Sequence, residues 1–280
     1  MLRPETHDDK MAIADTLFCA FDVETTGLSE SSRMVEIGAI RFKIGEEGEG
    51  FSTLVNPRQS ISRAAAAIHG ISSSMVRDAP LADEALAAFF DFAGDSVLLA
   101  HNAGFDVGIV SMELVRCEMA MPGNTVIDNL GIARACLAQR RNFKLATLAE
   151  SIGLDTCGLH RAFPDARATK LVFEEALGVK GWLSHPLKEL DRFSGGFGFQ
   201  DMRDVEFELP AEFEIIRQAI QSQSCLKVVY AGGTKGPEPR TLTPLAIHNR
   251  WGSFSLEAFC HVDRMNKTFL LDRFVKIELD

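Results

Sequence analysis

The chain has 280 residues, of which 46% are apolar and 24% are charged. That composition is ordinary for a globular protein, and the length favours one large domain with a smaller one. No apolar run approaches the roughly 18 residues that a membrane-spanning helix needs, and the first residues lack the basic start and apolar core of a signal peptide. The six cysteines show no CxxC spacing, which is typical of reduced thiols. We therefore expect a cytoplasmic protein without a membrane partner.

The net charge of −10 does not at first favour a nucleic-acid partner. Residues 1–210 carry 20 basic and 31 acidic side chains, a balance of −11, whereas residues 211–280 carry 9 and 8, a balance of +1. Divalent cations can offset such acidity locally, but a solvated acidic surface gives the same count. Net charge alone therefore leaves both interpretations open.

The stretch LFCAFDVETTGL, residues 17–28, predicts a buried strand that ends at Thr-Thr-Gly. Side chains alternate along a strand, so Asp22 and Glu24 lie on one side and Val23 on the other. Two carboxylates held this close repel each other, and burying them unpaired is costly. The pattern therefore predicts a positive partner between them.

The next elements alternate between strands and helices. Residues 34–57 predict two strands joined by a hairpin, and residues 60–94 are mostly helical, with Ser72 to Ser74 capping one helix and Pro80 opening the next. Residues 95–114 predict a strand that gives way to a helix at Asn102 to Gly104. A short strand or turn and two helices follow, and residues 160–178 form an amphipathic helix. This order predicts an α/β fold with a mixed sheet flanked by helices.

Residues 181–210 break the alternation and are interpreted as a linker that packs on one domain. From Ala211 a helix precedes four short strand-like stretches separated by turn signals such as GGTKGPEP and DRMNK. This pattern predicts a small β-barrel-like module over residues 211–280.

Two further acids and a histidine occupy notable positions. Asp106 follows an apolar strand in AHNAGFD, and Asp165 lies early in the last helix of this region, five residues after His160. Taken singly, each acid is typical of a helix cap or a partner of the helix dipole.

As an ordered set, DxE, HNxxFD and HxxxxD resemble the DnaQ-like 3′-to-5′ exonucleases, in the subgroup with four acids and a histidine (DEDDh) that includes the DNA polymerase III epsilon subunit family. The connecting stretches IHGIS, VIDNLGIAR and KLATLAESIGL are also similar. The resemblance covers roughly residues 14–178 and implies a ribonuclease H-like exonuclease domain over residues 14–180.

The resemblance implies two Mg²⁺ or Mn²⁺ ions that stabilise the attacking and leaving oxygens of phosphodiester hydrolysis. Asp22 would bridge both metals, Glu24 and Asp165 would complete one site, and Asp106 would support them directly or through water. Without metal, mutual repulsion should raise at least one carboxyl pKa.

His160 fits the general base of this subgroup, because histidine side chains exchange protons near neutral pH. A sister subgroup has a tyrosine four residues before the last acid. Here Arg161 occupies that position, and Tyr230, the single tyrosine, lies far along the chain. Pro164, directly before Asp165, departs from the family pattern but is tolerated in a first helical turn.

Substrate contacts implied by the resemblance are backbone groups at Thr25, an apolar wedge at Leu28, and His69 and Phe105 against the terminal base or sugar. For these two rings, core packing is an equal alternative. Asn102 either hydrogen-bonds the strand end or fixes its turn.

A basic group follows these motifs. Arg134, Arg140, Arg141 and Lys144 either guide phosphates or form a solvated helix surface, the second being favoured. His101 is interpreted as structural.

Residues 211–280 resemble a WYL domain through LKVVY, PRTLTPLAI and KTFLLDRFVKIEL, although FSL stands where Trp-Tyr-Leu would fall. Such domains are thought to bind nucleic acid or a nucleotide-like ligand on an Sm-like barrel. Tyr230, Arg240, Arg250 and Arg273 are candidate contacts. The alternative is that Tyr230 fills the core and Arg273 pairs with an acid.

The sequence therefore predicts a 3′-to-5′ exonuclease that acts on nucleic-acid 3′ ends, with single strands and DNA favoured and a polymerase or repair protein as a possible partner. The alternatives are trimming of RNA ends and a catalytically silent binding or sensing protein. The complete acid set and His160 argue against the silent protein.

Overall fold

The computed structural model describes residues 10–27, 32–137, 142–194, 197–199, 209–222, 224–231, 238–250 and 253–280. The chain divides into two compact units, of which the first contains the described residues up to 199 and the second those from 209 onwards. Each unit has a hydrophobic core of its own. Within the described ranges, no helix combines the length and the apolar character needed to cross a bilayer.

A six-stranded sheet forms the centre of the first unit. Its strands are β1 (Phe18–Thr25), β2 (Met34–Phe42), β3 (Glu49–Leu54), β4 (Val97–Ala100), β5 (Thr125–Asp128) and β6 (Phe197–Gly198). The order is β3-β2-β1-β4-β5-β6. Strands β1 to β3 pair antiparallel, β4 and β5 run parallel to β1, and β6 is antiparallel to β5. The predicted mixed sheet and the hairpin between the second and third strands are confirmed.

Helices cover both faces of this sheet. They are α1 (Arg63–His69), α2 (Ala82–Ala93), α3 (Gly104–Arg116), α4 (Asn129–Cys136), α5 (Leu145–Ser151), α6 (Ala162–Lys180) and α7 (Asp191–Ser194). On β1, Cys19, Phe21 and Val23 pack in one core cluster with α2 and α3. Phe18 and Ala20 pack in a second cluster with α4 and α6. The two clusters follow directly from the alternation of side chains along a strand.

One predicted helix cap is wrong. The chain at Ser72 to Ser74 starts no helix, because residues 73–79 form turns and bends. The cap lies ten residues earlier, where the Ser62 hydroxyl accepts the Ala65 N–H at 3.1 Å at the start of α1. Both serine groups match the capping preference, and tertiary packing selects between them.

The segment interpreted as a linker contributes α7 and β6 to the first unit. Short 3-10 turns precede α7, and Trp182 stacks on Phe193 with ring centroids 4.8 Å apart. The Leu187 N–H donates to the Met11 carbonyl at 2.9 Å. The described residues of this segment up to 199 therefore pack with the first unit.

The second unit is a five-stranded antiparallel sheet with one helix. Its elements are α8 (Glu214–Gln221), β7 (Leu226–Tyr230), β8 (Arg240–Arg250), β9 (Ser253–Cys260), β10 (Met265–Leu270) and β11 (Phe274–Leu279). A 3-10 turn over Leu271–Arg273 divides the last predicted strand in two. The order is β10-β9-β8-β7-β11, and among the described residues no pairing joins β10 to β11. The predicted strands form an antiparallel sheet, whereas the predicted closed barrel is not seen.

The start of α6 lies unusually close to β2. A Cβ at Gly38 would lie 2.2 Å from the Phe163 backbone nitrogen and 2.4 Å from the Ala162 carbonyl carbon. Such distances are far inside van der Waals contact, so only glycine permits this approach. Gly38 pairs across the strands with Asp22, so the approach brings the start of α6 next to the strand acids.

Gly38→Ala should lower the free energy of unfolding by about 1–3 kcal/mol, the usual cost of overpacking. Urea denaturation of the full chain measures the change. Gly178→Ala is the control, because Gly178 lies on the same helix with nothing within 4 Å of an added Cβ. That variant should be neutral or stabilising, since alanine favours a helix. Equal stability of Gly38→Ala and the wild type would contradict the close approach.

Candidate active site

Asp22 and Glu24 lie near the end of β1, on the sheet face that carries Phe18 and Ala20 and that α6 covers. Both side chains are half-buried. Neither carboxylate accepts a hydrogen bond or forms an ion pair with any residue that the structure describes. Polar groups in such positions are normally satisfied by the protein. These two carboxylates are therefore available to water or to a cation.

Asp165 of α6 joins the two strand acids. One carboxylate oxygen from each of Asp22, Glu24 and Asp165 lies within 4.8 Å of the others. The His160 backbone N–H donates to both Asp165 oxygens, at 3.2 and 3.3 Å. This interaction fixes the carboxylate at the start of the helix. The structure thus brings together three acids separated by up to 143 positions.

Asp106 is held beside the same strand. It lies in the first turn of α3, is only 3% exposed, and its Oδ1 accepts the Val23 N–H at 3.1 Å. Val23 stands between the two strand acids, so Asp106 approaches β1 at the cluster. It is not part of the three-carboxylate group.

The four acids hold protons more tightly than ordinary carboxyls. Burial raises the pKa of Glu24 to about 8, with added repulsion from Asp165 and Glu36. Burial likewise raises the pKa of Asp106 to about 7 and that of Asp165 to about 6. Burial and then the charge of Asp106 raise the pKa of Asp22 well above its usual range. The sequence-based expectation of repulsion within the acid set agrees with these shifts.

His160 precedes α6 in a conformation that few side chains adopt. Its φ angle is 68° and its side chain is exposed. Left-handed backbone at a non-glycine residue costs of order 1–2 kcal/mol and persists where surrounding contacts enforce it. Pro164 lies inside the first turn of α6, where the missing N–H leaves no intrahelical bond unmade.

A small pocket lies beside the acids. It has a volume of about 260 Å³ and is walled mainly by apolar side chains, among them Ala65, Ile68 and Phe105. Thr25 and His69 also line it, next to Glu24. Ile68, which the sequence analysis did not select, is 55% exposed at its mouth. Leu28 lies outside the described residues.

Both ring nitrogens of His69 are engaged with backbone. Nδ1 accepts the Ile71 N–H at 2.9 Å, and Nε2 lies 3.2 Å from the Thr25 carbonyl, to which it donates. Burial lowers the pKa of the ring, which favours this neutral tautomer. His69 can therefore offer the pocket only carbon surface, so it serves packing and the pocket wall together.

Asp128, at the end of β5, organises the turn that contains Asn102. Its Oδ1 accepts backbone N–H groups from Asn102, Ala103 and Leu130, at 2.9, 3.3 and 2.9 Å. Asn102 has a φ of 67°. The turn leads into α3 and hence to Asp106. The sequence analysis missed Asp128, although the motif VIDN already placed an acid directly after an apolar strand.

A second missed acid is Glu36 of β2, which is 2% exposed. Arg161 forms a two-pronged ion pair with it, with Nη2 to Oε1 at 2.5 Å and Nε to Oε2 at 2.9 Å. The sequence signal was a lone carboxylate inside the apolar strand MVEIGAI. Its partner could not be read from the pattern, because Arg161 lies 125 residues away.

The remaining predicted residues of the first unit lie on helices or turns. His101 Nε2 donates to the Phe143 carbonyl at 2.8 Å, as a structural histidine does. Arg134 and Lys144 are exposed, on α4 and just before α5. Arg140 and Arg141 lie outside the described residues.

In the second unit the ring of Tyr230 is buried against two phenylalanine rings, at centroid distances of 5.1 and 5.3 Å. Its hydroxyl accepts the Leu270 N–H at 3.2 Å. Tyr230 thus belongs to the core. Arg240 is buried in β8, Arg273 is exposed, and the side chain of Arg250 lies outside the described part. The structure does not bring these arginines into a described site.

Comparison with known proteins gives matches in both units. Residues 19–173 match the family described as Exonuclease (RNase_T), and residues 211–279 match the WYL domain. The chain is 41% identical over 161 residues to a DNA polymerase III PolC-type of Caldanaerobacter subterraneus subsp. tengcongensis, covering 57% of this chain and 11% of that protein. It is 39% identical over 173 residues to a putative bifunctional exonuclease/endonuclease protein of Mycobacterium tuberculosis, covering 59% and 27%. The chain thus spans only a small part of these relatives.

Two solved structures have similar folds. One is exonuclease X in complex with 5′ overhanging duplex DNA, at 25% identity and a TM-score of 0.51, covering 62% of this chain and 98% of that one. The other is E. coli exonuclease I with a dT13 oligonucleotide, at 17% identity and a TM-score of 0.54, covering 88% and 55%. Because the Exonuclease match covers more than half of the chain, the chain belongs to the DnaQ-like exonuclease family and carries a WYL domain after its nuclease unit.

Proposed function

We propose that the chain is a metal-dependent 3′-to-5′ exonuclease that releases nucleoside monophosphates from 3′ ends, DNA being the favoured substrate. The observation that carries this proposal is the pair of strand acids, Asp22 and Glu24. They have no partner among the described residues and lie with Asp165 within 4.8 Å.

The donor set fits Mg²⁺ or Mn²⁺. Hard divalent cations prefer oxygen ligands and accept a small number of carboxylates alongside water. Asp22, Glu24 and Asp165 would hold the ions, and Asp106 would support them from the first turn of α3. Two ions are proposed, because phosphodiester hydrolysis needs charge offset at both the attacking and the leaving oxygen. When bound, the ions supply that offset and lower the pKa of a water molecule.

The chain's own residues supply the other parts of the mechanism. His160 is exposed and its backbone N–H binds the Asp165 carboxylate; its imidazole is the proposed acceptor of the proton of the attacking water. The pocket next to Glu24, at about 260 Å³, is small and is the proposed site of the terminal base. Its apolar wall makes contact with any base without reading base edges. These features support the proposed end-specific, sequence-tolerant reaction.

The substrate class is supported by the relatives. PolC-type relatives are DNA polymerases by name, and exonuclease X was solved with a DNA duplex that has an overhang. A frayed or single-stranded DNA end is therefore the proposed substrate, with a polymerase or repair protein as the proposed partner.

The WYL domain is proposed to bind nucleic acid or a nucleotide-like ligand on its antiparallel sheet. Arg240, Arg250 and Arg273 are its proposed contacts. The buried position of Tyr230 favours the core role for that residue.

The wild type, with Mg²⁺ or Mn²⁺, should shorten a 5′-labelled single-stranded DNA as a descending ladder, and it should release a 3′-terminal label at once as a mononucleotide. Two further substrates of the same sequence identify the preferred sugar: an all-RNA strand, and a DNA strand that carries one 3′-terminal ribonucleotide. Asp22→Ala should lose activity on the order of 10³-fold or more, whereas the exposed Asp15→Asn should not. An inactive wild type on every 3′-ended strand would overturn the proposal.

The metal-free protein should lose stability as the pH rises from about 4 to about 8. The raised folded-state pKa values of Asp165, Asp106 and Glu24, about 6, 7 and 8, mean that folding favours their protonated forms. Below the unfolded pKa the acids are protonated in both states and cost nothing, whereas above the folded pKa they are ionised in both states and the full penalty applies. Mn²⁺ should therefore raise the melting temperature more at pH 8 than at pH 6.

Glu24→Gln tests the cause of this pH dependence. It should flatten the metal-free profile and reduce the Mn²⁺ response, because one buried charge is removed. The exposed Glu150→Gln should behave as the wild type. A wild-type profile that rises between pH 6 and 8 in a chelator would contradict the raised pKa values.

His160→Asn should reduce kcat about 10²- to 10⁴-fold, the usual contribution of a general base, without lowering the melting temperature. Asparagine tolerates left-handed backbone better than most residues, so the fold is not penalised. His185→Asn makes the same chemical change at an exposed position with φ of −76° and should leave both quantities unchanged. Retained kcat in His160→Asn would rule out the proposed base.

A further inference from the structure

We infer that Arg161 and Glu36 form a positioning pair for catalysis: their ion pair fixes the start of α6 so that His160 and Asp165 face the strand acids. The inference rests on the proposed function and adds two residues to it. Neither residue is a proposed metal ligand or general base. They would act through Asp165, a proposed metal ligand, and His160, the proposed general base.

The first observation concerns the cap of α6. The residue at the cap position is Arg161, whose side chain cannot accept a hydrogen bond, and it makes no capping bond to its own helix. Glu36 supplies the acceptor from another element, because its Oε2 takes the Ala162 N–H at 3.0 Å. A carboxylate at this end also interacts favourably with the helix dipole. The helix is therefore capped by β2.

The second observation is that one carboxylate binds both the helix and the residue before it. Glu36 Oε2 accepts Ala162 N–H and Arg161 Nε, while Oε1 accepts Arg161 Nη2. The Glu36 side chain is 3% exposed and the Arg161 side chain 40%. Three donors converging on a buried carboxylate fix direction as well as distance. The backbone at 161–162 has little freedom as a result.

The third observation is the register of the sheet. Glu36 pairs directly with Glu24, and Gly38 pairs with Asp22. Opposite residues of an antiparallel pair point to the same face. The two β2 positions that contact the start of α6 are therefore the cross-strand neighbours of the two strand acids. Any shift of α6 on β2 changes the distance from Asp165 to both acids.

The fourth observation is that the two catalytic candidates follow from the same backbone. The Asp165 N–H donates to the Arg161 carbonyl at 3.0 Å, and the His160 N–H donates to the Asp165 carboxylate. His160, at φ 68°, is the residue directly before Arg161. Loosening the ion pair would release His160 and Asp165 together. A displacement near 1 Å at a reacting centre can cost about 10²-fold in rate.

Arg161→Lys keeps the charge but cannot form the two-pronged contact. In the full chain it should lower kcat by about 10- to 100-fold while KM for a single-stranded DNA stays within about threefold. It should also weaken Mn²⁺ binding by about 10- to 100-fold, the usual effect of removing a residue that orients a metal ligand. Mn²⁺ binding is measured without turnover, by thermal-shift titration. Glu36→Gln, which keeps an oxygen for the Ala162 N–H, is the second variant and should show a smaller loss of both.

The chain offers a matched control in Arg33 and Glu113. Arg33 Nε and Nη2 contact Glu113 oxygens at 2.7 and 2.8 Å, and this carboxylate is also fully buried. Arg33→Lys should cost similar thermal stability and leave kcat and Mn²⁺ binding unchanged. Equal losses in Arg33→Lys, or wild-type kcat and Mn²⁺ binding in both Arg161→Lys and Glu36→Gln, would overturn the inference. If the wild type digests no nucleic acid, the proposed function fails. The Mn²⁺ titration still tests whether the ion pair of Arg161 and Glu36 affects Mn²⁺ binding.

Discussion

Repulsion among carboxylates on one face of β1 is the constraint on which the rest of the first unit depends. Asp22 and Glu24 are fixed two residues apart by the strand, so they cannot separate without breaking the sheet. Asp165 and Asp106 are added from two helices, and burial raises the pKa of all four acids. A fold that assembles such a set loses stability there and must recover it elsewhere. The two core clusters on either side of the sheet provide that recovery.

The placement of α6 is the fold's main response to this constraint. Glycine at position 38 lets the helix backbone approach β2 directly, which larger residues would prevent. The ion pair of Glu36 with Arg161 then holds the helix start at that distance. Close approach and a directional contact act together here, since either alone would leave Asp165 free to move away from the strand acids. The contacts at the start of α6 thus fix the geometry of the acids, as supporting contacts commonly do at catalytic sites.

Much of this arrangement could be predicted from the sequence because its determinants are local. The spacing of Asp22 and Glu24 fixes their common side, and the order of apolar runs gives the mixed sheet and the helix that carries Asp165. The cap of α1 could not be predicted, because Ser62 and Ser72 have the same local preference and tertiary packing decides. The partner of Glu36 lies 125 residues away, so no local pattern identifies it. The barrel prediction for residues 211–280 relied on turn spacing, which predicts strands but does not determine whether a sheet closes.

Hydrogen bonding separates the acids around the site into two classes. Asp106, Asp165, Asp128 and Glu36 each accept backbone N–H groups, which hold their carboxylates in place and satisfy part of their charge. Asp22 and Glu24 receive no such bond from any described residue, and the strand alone orients them. Charge that the protein leaves uncompensated is charge that a cation can bind most strongly. The hydrogen-bonded acids are therefore suited to setting the geometry, and Asp22 and Glu24 to supplying most of the attraction for the proposed metal ions.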